Sequence, residues 1–346
     1  MSGVHGWLIL DKPLGLGSTQ GVSAVKRALR DAGFDVSKRG IKVGHGGTLD
    51  PLATGVLPIA LGEATKLAGR MLDSDKVYDF TIGFGVQTDT LDLEGKVIAE
   101  SAVRPTLAQV EAVLPRFTGP IEQVPPAYSA LKVDGARAYD LARAGAEVVL
   151  AGRLVTVRSL QILPREPGEG DREHSANGGG GATAVVSPSP GPLHHFAEEA
   201  KWSPSPAEAG EDLENITLTA HVSKGTYIRS LARDIAIALG TVGHVTMLRR
   251  TKAGPFDLSH AISLDKLAEL GKARTLEDKL LPLRAGLDDI PALSLSPDQA
   301  GLLRQGRVLI GIAANDGQYF ATSDDVPVAL VEVQDREVRV VRGFNL

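Results

Sequence analysis

Lys42-Val-Gly-His-Gly-Gly-Thr-Leu-Asp-Pro-Leu-Ala-Thr-Gly-Val-Leu-Pro58 is the stretch around which this chain is organised. Gly44, Gly46 and Gly47 let the backbone take positive φ and let other groups come close, while Pro51 restricts Asp50 from behind. Such a segment can hold one carboxylate rigidly at a loop tip. Val56, Leu57, Ile59, Ala60 and Leu61 follow as a short apolar run with the pattern of a buried strand, so the loop is mounted on the core. The residues alone leave three readings open. The loop is a Gly-rich turn with a turn-forming Asp, a phosphate cradle, which the absence of a following Gly-Lys-Ser/Thr disfavours, or the mount of a carboxylate nucleophile or general base.

A chain of 346 residues can bury a core for one large domain and a small second one. It has no cysteine, which excludes disulfides, thiolate nucleophiles and Cys-based metal sites and suits a reducing compartment. The first residues lack the basic start of a signal peptide, and no stretch reaches the length of a membrane span. No membrane association and a cytoplasmic location are therefore expected. The net charge of −5 argues against a polyanion as partner until its distribution is considered. Residues 165–212 carry nine acidic against three basic side chains, whereas His221 to Pro255 sets Lys224, Arg229, Arg233, Arg249, Arg250 and Lys252 against Asp234 alone. The basic run is either a solvated face or a phosphate-binding one, and its place beside the suspected site favours the second.

Periodicity predicts a strand over Trp7 to Lys12 and a helix to about Arg30 capped by Ser18 or Thr19. It further predicts a helix from Glu63 to Leu72 and a strand from Lys76, on which Tyr78 shares a face with Phe80 and Ile82. Spacing alone makes Tyr78 a core or face tyrosine. Thr106 and Gln109 form a capping pair, and Arg153 to Leu163 reads as a strand. Residues 165–212, rich in Gly, Ser, Pro and acid, read as a disordered insertion. His174, His194 and His195 within it lack the spacing of a metal site. A strand over Ile216 to Val222 and a helix over Thr226 to Leu239 follow, the latter with Ile228, Leu231, Ile235 and Leu239 on one face. Pro282 and Pro291 mark a boundary before a helix at Pro297 to Leu303 and strands near 308–310, 326–333 and 337–341.

Several of these segments together resemble the bacterial tRNA pseudouridine synthase B family. They are Gly44 to Pro58 followed by Gly62-Glu-Ala-Thr-Lys66, the Asp11-Lys-Pro-Leu-Gly15 opening, Lys76-x-Tyr78, and Thr88-Asp-Thr-Leu-Asp92. Gln123 to Tyr139, Lys224-Gly-Thr-Tyr-Ile-Arg-Ser-Leu231 and Val245-Thr-Met-Leu-Arg-Arg-Thr251 complete the set. The resemblance covers about residues 7–164 and 215–255 well and the C-terminus weakly. It implies an α+β fold, a mixed and largely antiparallel central sheet with flanking helices, over a catalytic domain at 1–285 that carries the 165–212 insertion. Leu303-Arg-Gln-Gly-Arg307 resembles the start of a short PUA-like RNA-binding domain, here 290–346.

The implied activity is isomerisation of uridine to pseudouridine in the T-loop of tRNA, at U55. No metal or redox cofactor is implied, since no electrons pass to an outside carrier. The resemblance carries the catalytic aspartate onto Asp50, with Arg229 as the opposite charge that keeps it ionised. It carries substrate-binding roles onto His45, Lys66, Tyr78, Asp92, Tyr227, Arg229 and Leu248, Tyr78 stacking on the target base and Leu248 lining its pocket. Lys132 and Arg137 become candidate RNA contacts. The implied partner is the T-arm of tRNA, bound by a monomer without a protein partner, although the family has RNA-guided relatives inside larger particles. Two other classes compete with this one. An RNA-folding helper would not need Asp50, Tyr78 and Arg229 together, and an aspartate-nucleophile hydrolase would want a second carboxylate beside the first and usually Mg²⁺.

Overall fold

The computed structural model describes residues 4–37, 40–129, 131–133, 135–146, 148, 150–163 and 212–346. The acidic stretch 165–212, apart from Asp212, and its histidines lie outside the described residues. Among the described residues, ten strands form one sheet whose main path runs Ala261–Ile262, Gly6–Lys12, Ala53–Leu61, Gly243–Ala253, Lys76–Phe84, Asn215–Val222, Arg153–Ile162, Gly119–Gln123. Two pairings are parallel, Gly6–Lys12 with Ala261–Ile262 and Ala53–Leu61 with Gly243–Ala253. The other pairings are antiparallel, so the sheet is mixed and mainly antiparallel as expected.

The Ala53–Leu61 strand is buried along nearly its whole length, which fits its unbroken apolar run. Because side chains alternate across a strand, it feeds two cores. Leu57, Ile59 and Leu61 pack with Leu8, Leu10, Val25, Leu29 and Leu267 under the helices Ser18–Asp31 and Leu264–Ala273. Val56 and Ala60 belong to a second cluster with Trp7, Ile9, Phe256, Phe320, Leu330 and Phe344. The last three come from a separate five-stranded sheet and its end, ordered Ala292–Ser294, Gly317–Ser323, Val326–Gln334, Glu337–Gly343, Leu309–Ile310. The small β domain is thus joined to the large sheet by a shared apolar core. The other half of the large sheet is covered by the helix Ile228–Ala238, whose Leu231 and Ile235 pack on Phe80, Ile82 and Leu218.

Several local expectations change in three dimensions. Gly17, not Ser18 or Thr19, caps the first helix, its N–H donating to Gln20 Oε1 at 2.7 Å, because the Ser18 hydroxyl is committed elsewhere. Glu63 to Leu72 is a 3₁₀ segment, Gly62–Leu67, followed by a short helix, Ala68–Asp73. The helix expected from Thr226 begins at Ile228, with Tyr227 extended as its cap. Ala292–Ser294 and Gly317–Ser323 are strands that periodicity does not show. The Thr106 and Gln109 capping pair forms as read.

Candidate active site

The loop that carries Asp50 enters the sheet directly as the Ala53–Leu61 strand, beside the parallel Gly243–Ala253 strand, with Leu248 opposite Ala53 and Arg250 opposite Gly55. The Ala53 N–H donates to the Asp50 carbonyl at 3.0 Å, closing the turn at the loop tip. Gly47 has φ of +141°, and Gly55 has φ of +98° with room for no Cβ, which would sit 2.2 Å from the Arg250 carbonyl oxygen. Both positions need glycine.

Three buried side chains bond the main chain of this loop. Ser18 Oγ donates to the Leu49 carbonyl at 2.9 Å and accepts from the Leu49 N–H at 2.8 Å. Lys12 Nζ, fully buried, donates to the carbonyls of Leu16 (2.6 Å), Pro13 (3.0 Å) and Pro51 (3.2 Å). Arg250, 1% exposed, donates to the carbonyls of Val56 (2.8 Å), Thr48 (3.2 Å) and Gly47 (3.3 Å). Burial pushes the Lys12 ammonium down to about 8, partly offset by the nearby Asp50 carboxylate.

The Asp50 carboxylate is held by Arg229, whose Nη2 lies 3.0 Å from Oδ2. Arg229, 8% exposed, is a hub at the start of its helix. Its Nη1 pairs with Asp92 at 3.1 Å and donates to the Thr90 carbonyl at 2.9 Å, and Nη2 also donates to the Tyr128 carbonyl at 3.0 Å. Asp92 is itself fixed by the Thr90 hydroxyl (2.5 Å) and the Glu94 N–H (3.1 Å). The fork geometry of guanidinium is what lets one side chain serve two carboxylates and two carbonyls. The Asp50 side chain is 43% exposed, so it is anchored on one side and open on the other.

It opens into a cavity of about 920 Å³. His45, Tyr78, Asp92, Tyr227, Arg229 and Leu248 all line it. Tyr78 lies on the strand next to Leu248, on the face of Phe80 and Ile82 as its spacing predicts, but at the edge of that core rather than inside it. His45 sits on the short strand Val43–His45, and burial, then the Arg250 charge, lowers its pKa, so the neutral ring faces the cavity. Burial likewise raises the Tyr227 phenol, which keeps its proton. An aromatic face, an aliphatic residue and an anchored carboxylate around one opening suit a flat, polar, electrophilic ligand such as a nucleobase with its sugar.

Lys66 is the one expected site residue that the fold places elsewhere. Its Nζ pairs with Glu63 at 2.6 Å and donates to the Gly343 carbonyl at 2.8 Å, while Glu63 accepts from the Asn345 N–H at 2.8 Å. The Gly62 to Lys66 motif therefore clasps the end of the small β domain. In the basic run His221 to Pro255, expected to form a phosphate-binding face, Lys252 is exposed while the other cations meet groups of the protein. Arg229 and Arg250 are buried, Arg249 pairs with Asp11, Arg233 with Asp234 and Lys224 with Asp73. The side chains of Lys132 and Arg137 lie outside the described residues. Sequence reasoning misses Lys12 and Arg250 as parts of the site, though alternation on the strand does set Arg250 on the face of Leu248.

Residues 35–177 match the family model described as TruB family pseudouridylate synthase, N-terminal domain, and residues 229–288 match the tRNA pseudouridylate synthase B C-terminal domain. The curated tRNA pseudouridine synthase B of Novosphingobium aromaticivorans is 58% identical over 99% of this chain and 98% of its own length. This chain belongs to the tRNA pseudouridine synthase B family. The Zymomonas mobilis member is 52% identical over 99% of the chain and 96% of its own length, and that of Caulobacter vibrioides 41% over 99% and 97%. As a tRNA pseudouridine synthase it is an RNA-binding isomerase that converts uridine to pseudouridine in tRNA. The family's fold extends further. An H/ACA ribonucleoprotein bound to a substrate RNA containing 2′-deoxyuridine contains a chain that superposes with TM-score 0.63 at 20% identity, over 99% of this chain and 85% of that one. A Cbf5-Nop10-Gar1 complex gives 0.64 at 22%, over 98% and 85%. The sheet over 292–343 lies beyond both matched family segments.

Proposed function

We propose that this enzyme modifies U55 in the T-loop of tRNA, with Asp50 as the catalytic carboxylate, acting on a uridine flipped into the 920 Å³ cavity. The observation that carries the reading is the Asp50 and Arg229 pair at 3.0 Å, anchored from behind by Asp92 and open to solvent in front. The reaction breaks the bond from N1 to C1′, turns the uracil and joins C5 to C1′, while C5 loses a proton and N1 gains one. Atoms and electrons balance without a metal or an electron carrier. A base within a folded loop cannot be reached in place, so extrusion precedes chemistry. Tyr78 supplies the stacking face, worth about 1–3 kcal/mol per base, and Leu248 and Tyr227 bound the pocket. His45 supports the nucleotides around the vacated stack. Recognition rests on loop shape and unstacked bases more than on helix sequence. The small β domain, PUA-like in its opening motif, extends the RNA-binding surface. On this reading the enzyme acts as a monomer without an accessory protein, in the cytoplasm, where tRNA is matured.

The test is incubation of purified protein, in chelator, with unmodified tRNA, mapping pseudouridine by base-specific chemistry, beside Asp50→Asn. Modification confined to the T-loop uridine and lost in the variant is the expected result. Tight tRNA binding without modification in either protein would overturn the reading in favour of an RNA-folding helper.

A further inference from the structure

The geometry points to Arg250, acting with Ser18, as a positioning residue for the reaction: the two hold the main chain around Asp50 so that its carboxylate meets the bound uridine in reacting geometry. This rests on Asp50 being the catalytic carboxylate. Arg250 is among the largest fully buried side chains of the protein, and its hydrogen bonds go to main-chain carbonyls rather than to a carboxylate. Its strand neighbour Arg249 does what a half-exposed arginine ordinarily does, forking onto Asp11 at 3.2 and 2.9 Å. A desolvated cation bonded only to neutral groups is costly, and its position is understandable only if the groups it solvates matter.

Those groups are three carbonyls on either side of Asp50, two on the loop arm before it and one on the strand arm after it. Gly47 and Thr48 precede Asp50, and Val56 follows it, so a single rigid guanidinium ties the arms together. Ser18 completes the clamp at Leu49, where one hydroxyl satisfies both the N–H and the carbonyl. Every residue from Gly47 to Leu49, immediately before the carboxylate, therefore has its main chain bonded to a buried side chain of another element. The Ser18 helix and the Arg250 strand are independent parts of the fold, so the loop is held from two sides. Neither residue needs to touch the uridine; each acts through the loop.

A role in folding alone and a role in positioning differ in what they move. The experiment compares Arg250→Ala, Arg250→Lys and Ser18→Ala with the parent protein in single-turnover modification at saturating enzyme, alongside tRNA affinity and the thermal midpoint. Misplacing a reacting group by 1 Å costs about 100-fold in rate, so Arg250→Ala is expected to slow about 100-fold, and Arg250→Lys and Ser18→Ala about tenfold, with tRNA Kd changed less than about threefold. Guanidinium ion at non-denaturing concentration restores part of the Arg250→Ala rate by refilling its cavity, while an equal concentration of sodium does not. Should Arg250→Ala fail to fold, Arg250→Lys and Ser18→Ala decide by the same split. A parent-like rate in either folded variant, or a fall in affinity that accounts for the loss of rate, overturns the proposal. Asp50→Asn run in parallel separates the premise from the proposal: turnover retained there removes Asp50 from catalysis, whatever the clamp variants do.

Discussion

Replacing Arg229 by lysine keeps the positive charge and removes the fork, which makes it the sharpest probe of the carboxylate pair. In the protein Arg229 binds Asp50 and Asp92 at 3.0 and 3.1 Å and the carbonyls of Thr90 and Tyr128 at 2.9 and 3.0 Å. An ammonium has three donors on one atom and cannot span these four acceptors. If it stays with the more buried Asp92, whose side chain is 11% exposed against 43% for Asp50, the bond that breaks is the one to Asp50, the carboxylate proposed as catalytic. A hydrogen bond to a charged group contributes about 1.5–3 kcal/mol, and each 1.36 kcal/mol is tenfold in rate, so losing one such bond in the transition state slows turnover roughly 10- to 150-fold. Part of that energy is screened because Asp50 faces the open cavity, which places the expectation near 30-fold. The assay is single-turnover release of tritium from tRNA labelled at uridine C5, since that hydrogen leaves in the reaction. Both terminal nitrogens of Arg229 are engaged by Asp50, Asp92, Thr90 and Tyr128, which leaves little of the guanidinium to hold RNA, so tRNA affinity should hold within about threefold. A rate within about twofold of the parent, in a folded variant, would refute the reasoning.

Two further outcomes follow from the same structure. Lys12 is depressed to about 8 in the folded protein, so between pH 8 and its ordinary value of 10.5 the unfolded chain binds the extra proton and stability rises with pH. This contribution is fully present above the unfolded value and is lost as pH falls through the folded one. From pH 7.5 to 9.5 it amounts to about 2 kcal/mol, so urea midpoints should climb less steeply in Lys12→Met than in the parent. Lys76, shifted the same way by burial, supplies the rise that remains. Finally, Arg153–Ile162 and Asn215–Val222 are adjacent antiparallel strands, paired as far as Ile162 with Leu218. The stretch between them joins neighbours that a short connection can close, so replacing 165–212 by a Gly/Ser linker should leave pseudouridine formation in tRNA at the parent rate; loss of activity in a folded protein would refute this.

The parts of the fold that read directly from the chain are those whose local pattern and tertiary role agree. The apolar run Val56 to Leu61 is the buried strand on which the Asp50 loop is mounted, and the face with Leu231 and Ile235 is where the Ile228–Ala238 helix meets Phe80 and Leu218. Ala292–Ser294 and Gly317–Ser323 escape a sequence reading because three residues are too few for a period, and because Gln318 and Tyr319 interrupt the apolar signal of a strand stabilised by its neighbours. Ser18 misleads for a related reason. A hydroxyl at a helix start is ordinarily a cap, but here Leu49 of a distant loop competes for it.

By itself the sequence determined the family, the loop that presents Asp50 and the residue types around it, because long contiguous motifs encode local backbone geometry and chemistry together. What only the tertiary structure decided is the use of each charge. Arg229 reaches Asp50 and Asp92, Arg250 is turned inward onto loop carbonyls, and Lys66 clasps the small β domain rather than lining the cavity. A long flexible cation has the same letter in the sequence whether its head meets water, a carboxylate or a buried carbonyl. Which of these it meets depends on the strands and helices packed around it, and so on residues far apart in the chain.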